Sequence, residues 1–120
     1  IQELSTCTQY NLPIKIININ NEALGMVKQW QDMSYGGRHS ESTYQSSLPN
    51  FIELVESYGH VGFKIEKNSD LKDTLDEAFS IKDKLVFVDV YVDPSEHVYP
   101  MLVAPNGSLK DMWLSKDKKV

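Results

Sequence analysis

Two adjacent asparagines, Asn20 and Asn21, close a β-branched run and open onto a helical pattern, "ININNEALGMVKQWQ". In an open parallel sheet, ligands bind beyond the carboxyl ends of the strands, where helix N-termini present unpaired N–H groups. An asparagine carbonyl at that place is a neutral oxygen donor suited to Mg²⁺ or Ca²⁺. Its neutrality fits a cation that already carries the negative charge of a diphosphate. Asn21 reads equally as a helix N-cap, a position asparagine favours. Met26 and Trp30 stand four residues apart and share a helix face, the spacing of a core pair as much as of a pocket wall. Gly25, early in the same helix, costs up to about 1 kcal/mol against alanine, which hints at a close approach to its backbone.

Other polar residues carry less. Arg38, the single arginine, sits in "GGRHS", where it reads as a carboxylate anchor or as a solvated loop residue. His39, His60 and His97 lack the spacing of zinc ligands, and His60, just before a strand, reads as structural. Asp89 interrupts an apolar strand and is expected to be a hydrogen-bonded carboxylate. No Ser-His-Asp or Cys-His order stands out.

These residues need elements to hold them. Ile1–Tyr10 reads as a helix stopped by Asn11 and Pro13, and Ile14–Ile19 as a strand. Its nearly continuous apolar run suits a strand covered on both faces. A helix is expected from about Glu22 to Met33, then a polar, glycine-bearing loop from Ser34 to Ser47, a length that in compact domains is usually functional. Pro49 is expected in the first turn of a helix whose buried stripe is Phe51, Leu54, Val55 and Tyr58, with Gly59 as its stop. Val61–Ile65 is a strand. Leu71, Leu75, Ala78 and Phe79 mark a further helix with Asn68, Ser69 and Asp70 as cap candidates. Leu85–Val92, "LVFVDVYV", is the strongest strand, ended by Asp93-Pro94.

Strands thus alternate with helices of crossover length. That predicts an α/β fold with a doubly wound, mainly parallel sheet over residues 1–92. Residues 93–120 lose the pattern and are expected to form an irregular tail or lid on the sheet's end. The 120 residues, 41% hydrophobic and 24% charged, support one packed domain or a large piece of one. A net charge of −5 disfavours nucleic acid, and no apolar run approaches the ~20 residues that span a membrane. Cys7 is the sole cysteine, which rules out an internal disulfide and fits a reducing cytoplasm. The absence of an initiator Met or signal pattern, with Ile1 already in a helical segment, gives the expectation of a piece of something longer.

The segment "IQELSTCTQYNLPIKIININNEALGMVKQWQDM" resembles the thiamin diphosphate-binding segment of the acetohydroxyacid synthase (acetolactate synthase) catalytic subunit. "RHS", "SYGHVG" and "VFVDVYVDPSEHVYPM" continue the likeness over essentially the whole chain. In such enzymes the metal motif opens with Gly-Asp-Gly and closes about thirty residues later with Asn-Asn, here Asn20-Asn21; its opening is expected before Ile1. The resemblance implies that Asn21 gives Mg²⁺ a side-chain oxygen and Ala23 a main-chain carbonyl. The family often has an acidic residue at Ala23, a difference a main-chain ligand tolerates. It further implies that Leu24, Gly25 and Met26 lie against the cofactor, and that Met26, Val27 and Trp30 shape the site of the second 2-ketoacid. The loop 34–47 and the C-terminal tail resemble segments that close over the active site.

The activity implied is condensation of two pyruvates, or of pyruvate with 2-ketobutyrate, to 2-acetolactate or 2-aceto-2-hydroxybutyrate with release of CO₂, in branched-chain amino-acid biosynthesis. The cofactors implied are thiamin diphosphate, Mg²⁺ and a non-redox FAD. The partners implied are 2-ketoacid substrates, further copies in a dimer or tetramer, and a small regulatory subunit. No catalytic residue is expected within this stretch, since the activating glutamate belongs to another domain, so the chain alone is expected to be inactive. The rivals are a related carboligase or oxidase of the glyoxylate carboligase or pyruvate oxidase type, and a non-catalytic flavodoxin-like module in which Asn21 and Gly25 only cap and pack.

Overall fold

The computed structural model describes residues 1–44, 46–102 and 107–120. Contacts divide the chain into two units, residues 1–22 with 45–92 and residues 23–44 with 93–120.

The first unit is built on three parallel strands, β1 (Lys15–Asn20), β2 (Val61–Ile65) and β3 (Val86–Tyr91), in the order β1-β3-β2. The strongest apolar strand is therefore the central one. Ile16 lies opposite Phe87, and Asn18 opposite Asp89. Period-two alternation sends Val86, Val88 and Ile65 to one face, where the helix α4 (Asn68–Ser80) brings buried Ala78 and partly buried Leu75 onto them. The opposite face receives α3 (Phe51–Glu56). The Phe51 and Phe87 rings stack there at 5.9 Å, and Ile52 rests on Gly62. A Cβ at position 62 would stand 2.7 Å from Ile52 Cγ2, so only glycine allows α3 this close. With helices on both faces of a parallel sheet, the fold is the expected α/β type.

Several boundaries move for local reasons. The strand read from Ile14 to Ile19 spans Lys15–Asn20. Its expected cover on both faces is incomplete: Ile17 and Ile19 are 39% and 63% exposed, because α4 packs over β2 and β3. The first helix, α1, spans Glu3–Gln9, and Asn11 follows it at φ 50°, a left-handed stop that asparagine tolerates. Pro49 precedes α3 rather than opening it. Asn50 is the cap, its side chain accepting from the Ile52 and Glu53 N–H groups at 3.1 and 3.3 Å. The helix ends earlier than expected, at Glu56 with Ser57 as C-cap, so Tyr58 lies outside it and Gly59, at φ 82°, turns the chain two residues after the cap. Asn68, Ser69 and Asp70 do not cap α4; they form its first turn, after Lys67. Leu71 and Phe79 of the expected stripe are 39% and 51% exposed. His60 is structural: it is buried, and its Nε2–H donates to the Leu4 carbonyl at 2.9 Å.

The second unit contains α2 (Gly25–Ser34) and an antiparallel sheet of β4 (Met101–Leu102), β5 (Met112–Ser115) and β6 (Lys118–Lys119), with a 3₁₀ turn at Leu109–Asp111 before β5. The stretch after Asp93 thus carries strands that its sequence pattern does not announce. Helix α2 starts three residues later than expected, because Glu22 takes φ 54° and Ala23 pairs with Thr43 in an isolated antiparallel bridge. Among the described residues, no helix is long and apolar enough to cross a membrane.

Candidate functional site

The carboxyl end of β1 holds a polar cluster set by strand alternation. Asn18 and Asn20 point to the same face as Asp89, which the register places beside them. The Asn18 amide donates to Asp89 Oδ1 at 2.7 Å, and the Asn20 amide to Oδ2 at 3.2 Å. Asp89 and Asn20 are 3% and 6% exposed, so the carboxylate is the hydrogen-bonded one expected. The Asn20 oxygen then accepts the Glu22 N–H at 3.0 Å, an Asx turn that ends the strand. The neighbouring cleft, about 370 Å³, is lined by Glu22, Asn50, Phe51, Lys64, Asp89 and Tyr91. Lys64 stands 4.5 Å over the Tyr91 ring and pairs with Glu66 at 2.7 Å. Asn21 follows the turn, half-buried. It does not cap α2, whose N-cap is Leu24, so the capping reading is corrected.

In the second unit, Ala23 is held by its bridge to Thr43, and the Leu24 N–H donates to the Ser42 carbonyl at 2.9 Å. Gly25 is the first residue of α2, not an interior one, so the mid-helix penalty does not apply to it. Leu24, Met26 and Val27 are 47%, 50% and 46% exposed and Trp30 is half-buried. Met26 is therefore not a core residue here. The first turn of α2 presents an apolar surface, so of the two readings of the Met26–Trp30 spacing the core pair is not the one Met26 takes.

What α2 buries instead is Gln29, 1% exposed. Its amide donates to the Val98 carbonyl at 2.9 Å and its oxygen accepts the Val98 N–H at 3.0 Å, so one side chain pairs with a peptide group as a strand neighbour would. One turn on, Asp32 gathers three basic side chains. Lys28 Nζ and His97 Nε2 each lie 2.9 Å from its Oδ2, and His39 Nε2 lies 2.6 Å from Oδ1. Partial burial opposes ionisation of Asp32. The hydrogen bonds and charges of Lys28 and His39 outweigh it and hold the carboxyl at about 2. This carboxylate ties the segment before β4 and the loop after α2 to the helix. It borders a cleft of about 520 Å³ whose lining includes Lys28, Gly36, His97, Trp113 and Lys116.

In the loop, Ser42 is fully buried and its hydroxyl donates to the Gln31 oxygen. Arg38 Nε donates to the Tyr35 carbonyl at 3.3 Å and is exposed. Among the described residues, no group of three His, Cys, Asp or Glu side chains is placed to hold a metal ion.

Residues 1–90 match the thiamine pyrophosphate enzyme, C-terminal TPP binding domain, and the chain belongs to that family. It is 60% identical over 119 residues to the acetolactate synthase large subunit of Haemophilus influenzae, a match covering 99% of this chain and 20% of that protein. It is 55% identical over 121 residues to the acetolactate synthase isozyme 3 large subunit of Escherichia coli, covering 99% of this chain and 21% of that protein. Identity to the acetolactate synthase large subunit of Cyanidium caldarium is 37% over 119 residues, again 99% of this chain and 20% of the relative. The chain therefore spans about a fifth of the length of the curated relatives it matches. Family membership sets aside the non-catalytic flavodoxin-like module.

Proposed function

We propose that this chain is part of the catalytic large subunit of an acetolactate synthase. The observation that carries this reading is 60% identity to one such subunit across 99% of the chain. When bound, thiamin diphosphate supplies the electron sink that lets one 2-ketoacid lose CO₂ and its remaining acyl unit join a second.

The donor chemistry of this chain fits the cation that would hold the diphosphate. Asn20 bonds Asp89 and the Glu22 N–H, and the closing Asn-Asn of the family's metal motif gives the ligand role to the Asn21 beside it. With the Ala23 carbonyl it makes a pair of neutral, hard oxygen donors of the kind Mg²⁺ takes. Neutral donors add no charge to a site already holding a diphosphate. Leu24, Gly25 and Met26 would bear on the cofactor. The exposed apolar turn of α2, with Val27 and Trp30, would wall the pocket for the second 2-ketoacid and exclude water from it.

The same reading includes FAD, a dimer or tetramer of the complete subunit, a small regulatory subunit and a cytoplasmic location. It treats 1–92 as the cofactor-binding part and 93–120 as a segment closing over it. A fifth of the relatives' length does not supply a complete site, so the chain alone is proposed to be inactive.

The complete protein, given pyruvate, Mg²⁺, FAD and thiamin diphosphate, should form acetolactate; none above background refutes the reading. Asn21→Ala should raise the Mg²⁺ concentration needed for half-saturation by about 10-fold or more while leaving the circular dichroism spectrum intact. An unchanged Mg²⁺ requirement would remove Asn21 from the ligand set.

A further inference from the structure

The turn after β1 is unusual in its backbone. Glu22 holds φ 54° without being a glycine, a conformation that costs about 1–3 kcal/mol and persists only where its surroundings impose it. The Glu22 N–H donates to Asn20 Oδ1 at 3.0 Å. An asparagine amide rotates by half a turn at little cost and would then offer the Glu22 N–H a donor instead of an acceptor. Something must fix which way Asn20 points. Asp89 does so: an ionised carboxylate only accepts, so it takes the Asn20 NH₂ group at 3.2 Å and turns the oxygen toward Glu22. Asn18, donating to the other carboxylate oxygen at 2.7 Å, keeps Asp89 itself from rotating. Asn20 and Asp89 are buried, where a mispaired polar group is costly.

We propose that Asp89 is a positioning residue for the cation site, fixing the amide orientation of Asn20 and through it the left-handed turn at Glu22 that sets where Asn21 stands. The proposal rests on the reading of Asn21 as a cation ligand. Asp89 touches neither cation nor substrate; it acts through the turn.

The hydrogen-bond logic supplies both a disruption and a repair. In Asp89→Asn, one oxygen and one NH₂ group face the NH₂ groups of Asn18 and Asn20, so one of the two asparagines must flip, and where it is Asn20 the Glu22 N–H loses its acceptor. Asp89→Leu takes away both acceptors and leaves the Asn20 amide unfixed. Adding Asn20→Asp restores every pairing: the residue-89 amide donates to one oxygen of the new carboxylate, whose other oxygen accepts the Glu22 N–H.

The experiment uses the complete protein in four forms: wild type, Asp89→Asn, Asp89→Leu and the double variant. Hydrogen–deuterium exchange of metal-free protein, read on peptides covering 19–24, needs no assumption about function. Exchange there should quicken in Asp89→Asn and Asp89→Leu and return toward wild type in the double variant. The Mg²⁺ half-saturation point, read by tryptophan fluorescence at saturating thiamin diphosphate, should rise about 10–100-fold in the single variant and recover in the double. Unchanged exchange in both Asp89→Asn and Asp89→Leu, or exchange that quickens in Asp89→Asn and the double variant alike, overturns the clamp. Quickened exchange with an unmoved Mg²⁺ midpoint overturns the link to the cation site, provided Asn21→Ala does move that midpoint. If Asn21→Ala leaves it unmoved too, the ligand reading of Asn21 fails instead, and the exchange data still decide the clamp. Should Asp89→Asn fail to fold, recovery of folding and Mg²⁺ midpoint in the double variant supports the proposal, and a folded double variant with a raised midpoint refutes it.

Discussion

Asp32 holds together three stretches of the second unit, and its removal has a calculable cost. Its carboxyl sits at about 2, against an ordinary 3.8. Two units of depression correspond to about 2.5 kcal/mol of preference for the ionised form in the folded state. The side chain is 26% exposed, and solvent screening trims the stabilisation to roughly 1–2 kcal/mol. The folded value lies below the unfolded one, so this contribution is complete above about pH 5 and fades as the pH falls through 4 toward 2. Asp32→Asn keeps the shape but leaves one acceptor oxygen for three donors. At pH 7, peptides covering 35–40 and 95–99 should open more often in the variant. Hydrogen–deuterium exchange there should be about 5–30-fold faster, the factor that 1–2 kcal/mol represents. Peptides from β3 should be unaffected. Repeating the comparison at stepwise lower pH should shrink the difference, to about a third of its neutral-pH free energy at pH 2.5. Equal exchange in both proteins at pH 7, or a difference that grows on acidification, would refute the assignment of Asp32 as the fastening group.

Two further substitutions separate packing from pocket. Gly62→Ala places a methyl 2.7 Å from Ile52 Cγ2 and should destabilise the protein by about 1–3 kcal/mol through overpacking, read as a lowered midpoint in thermal or urea unfolding. Ile52→Ala added to it should recover part of that loss, and strictly additive costs would show that the two sites do not touch. Trp30→Leu, under the proposed function, should change the ratio of acetohydroxybutyrate to acetolactate more than the total rate, since fit in an apolar pocket is worth about 1–3 kcal/mol. Loss of folding with an unchanged product ratio would make Trp30 a packing residue.

The parallel sheet was legible because its evidence is local. Runs such as "LVFVDVYV" are too apolar for a strand with a wet face, and the helices between them are long enough to cross over. The ends were less legible. Nothing in "NNEALG" announces that Glu22 turns left-handed and Ala23 bridges to Thr43, because that bridge reaches twenty residues ahead. Gln29 did leave a trace. It lies on the same helical face as Met26 and Met33, and an amide inside an apolar stripe signals a buried polar contact. Its partner, the Val98 peptide, is 69 residues away and left no pattern.

The polar cluster at the end of β1 shows where such reading stops. Asn18 and Asn20 alternate with isoleucines in "ININ", and Asp89 is the only charge in its strand. Period two therefore already puts each set on one face of its own strand. What the sequence withholds is that the two strands are neighbours. β1 and β3 are adjacent because the strand order is β1-β3-β2, and the two amide–carboxylate bonds span separations of 71 and 69 residues. Read alone, the asparagines of β1 look like polar breaks in a strand, and Asp89 like a hydrogen-bonded carboxylate whose partners are not named. Side by side they satisfy one another with neutral donors alone. The amides gain a fixed orientation that solvent would not give them. The ligand candidate Asn21 was recognisable by motif, but what holds its turn in place depended on a pairing that only the folded sheet creates.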